Sequence, residues 1–280
     1  MLEKYLFLQN IWLSIFNTIV AIGIRLVSFP SFFQRKHKAR RIAHVIGNGP
    51  SLKTDMDRVL RYVGNEDCEF VCVNMFADSE MYEVFRPNIY VLSDDIFFKD
   101  NPPARCINTL ANISSRTKWS LSLVVPYSKR HALVLRQFDE HPNIKVRTMG
   151  IAPVVGGTIS YNAFLFWVGI ATPLFQNVMI QAIFYSLKCG SREIHIWGAD
   201  HSWMQERTVR ADNKMYMKCK HFDGEDELVV VNDTVHNDLL CFARCLRIYH
   251  ELANYAKLLH ARIYNNSSYS WIDAFDRELE

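Results

Sequence analysis

The sequence lacks the two glycine-rich motifs by which phosphate-binding proteins are most readily recognised. It has no G-x-G-x-x-G dinucleotide fingerprint and no P-loop with its lysine. Its seven cysteines form an odd set without a C-x-x-C pair, in a chain long enough to fold without disulfides. We therefore expect reduced thiols in a cytosolic setting. Because both glycine motifs are missing, a nucleotide site would have to be formed by other residues.

Strong charge of either sign is also missing. The formal net charge is +3 at pH 7, and the aromatic residues are not interleaved with basic runs. Both features argue against a nucleic-acid partner, because such partners require a basic surface. The chain has no internal repeat and no low-complexity tract. Its 49% hydrophobic content is sufficient for one large domain, or for one domain plus an appendage.

The appendage is at the N-terminus, where residues 6–33 form the most apolar segment. Six polar residues interrupt this segment: Gln9, Asn10, Ser14, Asn17, Thr18 and Arg25. A basic cluster follows at residues 35–41, which reverses the charge order of a secretory signal peptide. This order predicts a single spanning helix whose C-terminal side is cytoplasmic, or a helix lying in the membrane interface. An apolar helix packed on its own domain or in a dimer contact is the alternative.

We therefore divide the chain into a membrane-associating segment, 1–41, and a nucleotide-binding catalytic domain, 42–280. The expected location is the cytoplasmic face of the inner membrane, because the basic cluster adds about 1 kcal/mol per Lys or Arg near an anionic leaflet.

Beyond residue 41, apolar runs alternate with amphipathic stretches. Seven runs are predicted to be strands: 42–47, 69–74, 88–94, 120–126, 144–150, 193–200 and 262–267. Four stretches are predicted to be helices: 52–63, 131–138, 176–188 and 236–259. This alternation predicts a doubly wound, mostly parallel, Rossmann-like α/β sheet preceded by the apolar helix. The Gly-rich segment 152–173 is predicted to form a helix and loops that line the site as a lid.

Ligands of such sheets bind outside the carboxyl ends of the strands, so residues directly after the strands are the candidates. These residues are Gly47, Asn48 and Gly49, then Asn74, then Ser93, Asp94 and Asp95, and finally Gly198, Asp200 and His201. The two glycines of the first turn allow a close approach to a ligand. Pro50 and Ser51 suit the first turn of a helix whose free N–H groups point at an anion. A purely structural turn is the alternative.

The titratable residues among these candidates each have two interpretations. Asp94 and Asp95 would hold Mg²⁺ against a diphosphate, or cap a helix. Asp200 and His201 place two titratable groups at the cleft, or form a satisfied pair in the core. Three histidines are candidates for a general base that deprotonates a sugar hydroxyl: His201, His221 and His236.

Four features together resemble bacterial lipooligosaccharide sialyltransferases: the turn G-N-G-P-S-L (47–52), the asparagine after the second strand, the strand C-G-S-R-E-I-H-I-W-G-A-D (189–200), and a histidine that opens a long helix. The resemblance implies a membrane-associated, metal-independent enzyme with a nucleotide-binding α/β fold and a CMP-sialic acid donor. It implies that the CMP moiety is held by Gly47, Asn48, Gly49, Ser51 and Asn74. It also implies that Ser93 or Asp94 approaches the donor sugar and that His236 is the base.

The chain departs from that family at two places. Gln176, Asn177 and Val178 replace a Thr-Ser-Gly stretch, and His201, Ser202 and Trp203 replace its tyrosines. The C-terminal half is also similar to bacterial surface-polysaccharide proteins with a domain like archaeal 6-hydroxymethylpterin pyrophosphokinases, through I-W-G-A-D-H-S-W (196–203) and S-W-I-D-A-F-D-R (270–277). That similarity implies a Mg²⁺-dependent diphosphate transfer.

The favoured hypothesis is a glycosyltransferase that moves a sugar, sialic-acid-like and from a CMP donor, onto a surface glycan or glycolipid without a metal. The candidate binding residues are Gly47, Asn48, Gly49, Pro50, Ser51, Asn74, Ser93, Asp94, Asn177, Gly198 and Asp200. The catalytic candidates are His236 and His201. The alternatives are a pyrophosphokinase with Mg²⁺ on Asp94, Asp95 and Asp200, and a non-catalytic nucleotide-binding scaffold in polysaccharide assembly. The sequence is also compatible with a homo-oligomer.

Overall fold

The structure is a computed structural model that describes residues 2–27, 39–219 and 227–278. Its elements in chain order are α1 (Leu2–Val27), β1 (Ile42–Ile46), α2 (Ser51–Leu60), β2 (Cys68–Val73), α3 (Met81–Phe85), β3 (Ile89–Val91), α4 (Ala104–Arg116), β4 (Leu121–Pro126), β5 (Ile144–Met149), β6 (Pro153–Val154), α5 (Ile159–Trp167), β7 (Thr172–Pro173), α6 (Val178–Cys189), β8 (Glu193–Trp197), β9 (Arg207–Val209), β10 (Met215–Cys219), β11 (Glu227–Val231), α7 (Val235–Leu258) and β12 (Arg262–Asn265). Short 3₁₀ turns join several of them.

Seven parallel strands form the central sheet, in the order β12-β8-β1-β2-β3-β4-β5. Each contains residues that the apolar runs predicted to be a strand, and the predicted doubly wound α/β fold is confirmed. β1 is an interior strand, in which Val45 pairs with Val71 of β2 and with Ile196 of β8. The inner strands are mostly buried and apolar because both faces of the sheet are covered, whereas the edge strand β5 is largely half-buried or exposed.

Helices cover the two faces with separate cores. α2, α3 and α4 pack on one face, over a core that includes Phe70. α5, α6 and α7 pack on the other face, over a core that includes Val71. Phe70 and Val71 are neighbours in β2 and belong to different cores because successive side chains of a strand point to opposite faces.

The order in which successive strands are placed in the sheet reverses direction next to β1. From β1 the chain continues through α2 to β2 and onward to β5, whereas β8 and β12 lie on the other side of β1. The chain therefore leads from β1 to a helix on one face of the sheet and from β8 to a helix on the other face. Such a topological switch point leaves a crevice at the carboxyl ends of the strands, where doubly wound proteins bind ligands.

Three local predictions were wrong. The sequence predicted no helix between β3 and β4, but α4 forms there, with Cys106, Leu110 and Ile113 buried at helical spacing among Asn, Ser and Thr residues of modest helix propensity. The segment 131–138 forms a 3₁₀ helix at Leu133–Phe138 rather than an α-helix. The antiparallel sheet β9-β10-β11 was not predicted.

The Gly-rich segment 152–173 does not line the site as predicted, as far as the described residues show. It forms β6, α5 and β7, and the inner residues of α5 join the core beneath α7. β6 and α5 contact α1. The glycines are needed because Gly156 and Gly157 have positive φ angles, 76° and 72°. The segment therefore packs against α1.

α1 is the N-terminal apolar helix that the sequence predicted. Its residues Phe7–Val27 are long and apolar enough to cross a membrane, by length and composition. Only 11% of its most apolar window is buried inside the described structure. Most of the basic cluster at 35–41 lies outside the described residues, which include Arg40 and Arg41. A membrane anchor therefore stays a prediction.

The variant Tyr90→Phe tests whether the Tyr90 hydroxyl stabilises the turn after β2. The buried Tyr90 hydroxyl accepts the Ala77 N–H at 2.8 Å and donates to the Asn74 carbonyl at 2.5 Å. Its removal leaves two backbone groups without this partner, and we expect a loss of about 1–3 kcal/mol in the free energy of unfolding. Urea denaturation measures the loss. The half-buried Tyr127→Phe is the matched control and should change little; equal stability of both variants would contradict the role of the hydroxyl.

Candidate functional site

A cavity of about 310 Å³ lies in the crevice between β1 and β8. The loop after β1, the end of β2, the start of α6 and the segment after β8 form its walls. It brings together eight of the residues predicted to form the site: Gly47, Asn48, Gly49, Pro50, Asn177, Gly198, Asp200 and His201. Its volume is within the range of small-molecule sites, roughly 300–1,000 Å³.

Three glycines allow the loops after β1 and β8 to touch. The Gly49 N–H donates to the Gly198 carbonyl at 2.9 Å. A Cβ atom at Gly47 would lie 2.5 Å from the Gly198 oxygen, and one at Gly49 would lie 2.5 Å from Asp200 Oδ1. Gly198 itself has a φ of +61°. The glycines are therefore required by contact between two loops, whether or not a ligand approaches them.

Asp200 caps the helix that follows the glycine turn. The Ser51 N–H donates to Asp200 Oδ2 at 2.9 Å, and the Ser51 hydroxyl bonds to Oδ1. The N–H groups of Leu52 and Lys53 donate to carbonyls of the preceding residues. We expected free N–H groups that point at a ligand anion. That expectation is corrected, because a carboxylate of the protein already occupies the favourable position at the start of α2.

The Asp200 carboxyl group is nevertheless placed to contact a ligand. It lies on the wall between the main cavity and a second cavity of about 300 Å³. Burial raises its pKa, and the two hydrogen bonds from Ser51 oppose that shift. The second cavity is lined mainly by hydroxyl and amide groups, including those of Thr54, Ser202, Gln205, Ser268 and Tyr269.

Asn48 lines the main cavity, and its side chain carries a buried acceptor that is unpaired among the described residues. Its Nδ2 donates to the Val73 carbonyl at 3.3 Å, whereas its buried Oδ1 has no hydrogen-bond partner among the described residues. A buried amide oxygen without a partner is costly, and a ligand is one way to satisfy it. An amide oxygen accepts but cannot donate, so the complementary ligand group is a hydroxyl or an amine.

His201 belongs to a satisfied buried network, as one of its two interpretations predicted. Its Nε2 lies 2.6 Å from the Tyr249 hydroxyl and 3.1 Å from Asn177 Nδ2, and its ring stacks on Trp203. Burial lowers the pKa of His201 to about 3, so the ring is neutral at physiological pH and a weak base. Asn177 is the N-cap of α6, where its Oδ1 accepts the Ile180 N–H at 3.0 Å.

The unpredicted sheet β9-β10-β11 contributes residues that the sequence analysis missed. Met217 and Lys218 of β10 line the cavity together with Glu206 from the 3₁₀ turn after β8. The only available signal was the short run Met215–Cys219 followed by the apolar run Glu227–Val231, which pair as antiparallel strands. Lys218 places a positive charge beside the cavity, whose wall also includes the acidic residues Asp200 and Glu206.

Asn74, Ser93 and Asp94 do not line this cavity. Asn74 follows the last residue of β2 with a φ of +45°, and its buried Oδ1 has no partner among the described residues. Asp94 accepts the Ile96 N–H at 3.1 Å and so caps a 3₁₀ helix, as its alternative interpretation predicted. Since β3 is two strand spacings from β1, about 10 Å, a bound ligand would have to extend along the sheet to reach Ser93 or Asp94.

Asp200 lies apart from Asp94 and Asp95, the other two aspartates of the magnesium hypothesis. Asp95 Oδ1 pairs with Lys129 Nζ at 2.8 Å, Asp94 caps its helix and Asp200 is bonded to Ser51. β3 and β8 are three strand spacings apart, about 14 Å. Within the described ranges, no group of three or more His, Cys, Asp or Glu side chains is placed to hold a metal ion.

Of the remaining candidate bases, His236 does not line the cavity. His236 is the second residue of α7, and its side chain is exposed. The N-cap of this helix is Thr234, whose hydroxyl accepts the Asn237 N–H at 3.2 Å. His221 lies outside the described residues.

Comparison of the chain with protein-family models and with curated proteins finds no significant match. The fold and the cavity therefore carry the functional interpretation. The sialyltransferase and pyrophosphokinase resemblances remain expectations from short motifs.

Gly49→Ala should disrupt the contact between the two loops. The added Cβ would overlap Asp200 Oδ1 and the Gly198 carbonyl, so Asp200 must move away from Ser51. We expect a loss of about 2 kcal/mol or more in the free energy of unfolding, measured by urea denaturation at pH 7. Gly23→Ala is the control, because no described atom lies within 4 Å of its Cβ position. Equal stability of the Gly49 variant and the wild type would show that the loops are not tightly joined.

Acid should destabilise the protein through its buried neutral histidines. Burial lowers the pKa values of His44 and His201 to about 3. Because the unfolded chain binds protons below about pH 6.5 and the folded chain does not, stability should fall as the pH drops from 6.5 towards 3. At pH 5 the expected loss is about 2 kcal/mol per histidine.

Urea denaturation of His201→Gln at pH 7 and pH 5 isolates one of these contributions. Glutamine can keep a hydrogen bond to Tyr249 but does not titrate. The difference in stability between the two pH values should fall by about half. An unchanged difference would mean that His201 is protonated in the folded state.

Proposed function

We propose that this protein is a membrane-associated glycosyltransferase that binds a nucleotide sugar in the cavity between β1 and β8. The observation that carries the proposal is the unpaired, buried Oδ1 of Asn48, a residue that lines a cavity of about 310 Å³ at the topological switch point. A nucleotide sugar offers hydroxyl and amino donors that match this acceptor. The CMP-type donor and the sialic-acid-like sugar come from the motif resemblance alone.

The arrangement favours the nucleoside or the sugar, rather than a phosphate, beside the glycine turn. The first turn of α2 is already capped by Asp200, and a phosphate there would meet a second negative group. Lys218 and the Asn177 amide supply donors elsewhere on the wall, although each already takes part in other interactions. We place the ribose or base at Asn48 and the phosphate towards β10.

The proposed reaction is a direct displacement at the anomeric carbon. A base takes the proton of the acceptor hydroxyl, the hydroxyl oxygen bonds to the anomeric carbon, and the bond from that carbon to the phosphate oxygen breaks. His236 is the proposed base, although it does not line the cavity, because burial makes His201 a weak base and its Nε2 is already bonded to the Tyr249 hydroxyl. Asp200 also lines the second cavity, whose walls carry several hydroxyl groups, and it would position the acceptor sugar there.

The acceptor is proposed to be a glycan or glycolipid at the cytoplasmic face of the inner membrane, since α1 provides an apolar surface for attachment.

No metal is required in this mechanism. The pyrophosphokinase alternative would need the separated Asp94, Asp95 and Asp200 to act together, so we rank it lower. A non-catalytic nucleotide-binding scaffold needs only the cavity.

Asn48→Ala should weaken nucleotide binding without unfolding the protein. Thermal-shift titration with CMP, UDP, GDP and ATP measures the binding. The variant removes a side chain that makes one long hydrogen bond to the described part of the chain, so its own melting temperature should stay within a few degrees of the wild type. The expected loss of affinity is about tenfold or more, the value of one hydrogen bond to a buried group. Asn108→Ala on the exposed side of α4 is the control.

Transfer assays separate the three hypotheses. Under the proposal, His236→Ala abolishes sugar transfer but keeps nucleotide affinity, and EDTA has no effect. An activity that disappears with EDTA supports the pyrophosphokinase. Nucleotide binding without any donor hydrolysis or transfer supports the scaffold, and retained turnover in His236→Ala moves the base to His201 or His221.

A further inference from the structure

α1 packs against the rest of the protein with its polar side. The residues that meet β6, α5 and the loop after α5 are Leu13, Ser14, Asn17, Thr18, Ala21, Ile24 and Arg25. Their spacing of three and four residues places them on one face of the helix. Four of the six polar residues that interrupt the apolar segment, namely Ser14, Asn17, Thr18 and Arg25, belong to this face.

The contacts on this face are specific. Asn17 Nδ2 donates to the Val155 carbonyl, and Thr18 Oγ1 lies 2.9 Å from the Tyr161 hydroxyl. A Cβ atom at Gly157 would lie 2.5 Å from Ser14 Oγ, so the backbone approaches the helix closely. Ala21 is fully buried in the core that also contains α6 and α7. α1 is therefore docked on the domain and is not a free tether.

The opposite side of α1 is apolar and exposed. It carries large side chains that include Phe7, Ile11, Trp12, Ile15, Phe16, Ile19 and Leu26, and Trp12 is 72% exposed. Soluble proteins rarely expose a continuous apolar surface of this length. A helix whose polar residues face the protein and whose apolar residues face outward requires a non-aqueous neighbour.

α5 extends the same surface. Phe164 and Trp167 are 45% and 52% exposed, and they lie on the outer side of α5. Ring contacts connect them to the docking face of α1: Tyr161 to Phe164 at 6.4 Å and Phe164 to Trp167 at 6.1 Å between centroids. Since Tyr161 contacts Thr18, the exposed aromatic residues of α5 adjoin α1.

The docked length of α1 argues against a spanning helix. Contacts run from Leu13 to Arg25, which is about 18 Å of helix. The preceding part, 2–12, is only about 16 Å long, whereas a hydrocarbon core is about 30 Å thick. A spanning α1 would therefore carry β6 and the irregular turn at Gly156 and Gly157 into lipid, where exposed irregular backbone is not tolerated.

We propose that α1 and α5 together form a monotopic membrane-binding face that lies in one leaflet of an anionic bilayer. Trp12 and Trp167 are suited to the interfacial region, where tryptophan is enriched. The basic residues Arg35, Lys36, Lys38 and Arg41 follow α1 in the sequence, and their charge complements anionic headgroups. Arg40 instead donates to the Asn65 and Cys68 carbonyls. This proposal does not depend on the glycosyltransferase function.

Vesicle flotation of the full chain tests the proposal. The probes are vesicles of phosphatidylcholine with phosphatidylglycerol, and vesicles of phosphatidylcholine alone. The wild type should float with the anionic vesicles, and the double variant Phe164→Ser, Trp167→Ser should bind about tenfold more weakly. Ile107→Ser is the matched control, because Ile107 is 51% exposed on α4, which covers the other face of the sheet; its binding should be unchanged.

Two results would overturn the proposal. Unchanged binding of the double variant would mean that α1 alone holds the membrane, as a spanning helix does. A concentration-dependent dimer that Trp167→Ser dissociates, in a protein that does not float, would assign the face to a second copy of the chain.

Quenching by brominated lipids gives a second readout that does not depend on the double variant. Trp167→Phe preserves an aromatic ring and should fold normally. It should lower the fraction of tryptophan fluorescence that bromolipids quench, whereas Trp119→Phe on the far side of the sheet should not. Equal quenching in the wild type and Trp167→Phe would place α5 outside the leaflet.

Discussion

The site depends on the bond between the Asp200 carboxylate and the first turn of α2. This bond joins the loop after β8 to the loop after β1, across the point where the order of strands changes direction. It requires glycine at positions 47, 49 and 198, because the backbones touch there. It also satisfies the start of α2 without a ligand. The cavity lies next to this contact between the two loops, between Asn48 and the strand β10.

This arrangement changes the meaning of the glycine turn. A glycine turn at the start of a helix usually indicates a phosphate site, because the free N–H groups attract an anion. Here Asp200 is the anion, and the unpaired group that remains is an acceptor, Asn48 Oδ1. The complementary ligand group is therefore a hydroxyl or an amine. A nucleoside or sugar fits this requirement better than a phosphate does.

The sequence predicted the fold well, since buried parallel strands such as 69–74 are continuous apolar runs that few other structures produce. It predicted the site in part, because residues after β1 and β8 must meet at a switch point. It could not show that Asp200 bonds to Ser51, 149 residues away, since such a pairing is set by three-dimensional packing. It missed α4 and β10, whose sequences are polar or short. Asp94 was predicted because it follows a strand and His236 because it opens a long helix, and neither lines the cavity.

A crystal structure of the protein soaked with CMP tests the central claim most directly. We predict nucleotide density in the cavity between Asn48 and Met217, with a hydroxyl or amino group within hydrogen-bond distance of Asn48 Oδ1 and with Asp200 still bonded to Ser51. Density for a phosphate at the Ser51 N–H, with the Asp200 carboxylate displaced, would contradict this account. Nucleotide bound elsewhere, with the cavity empty, would contradict it as well.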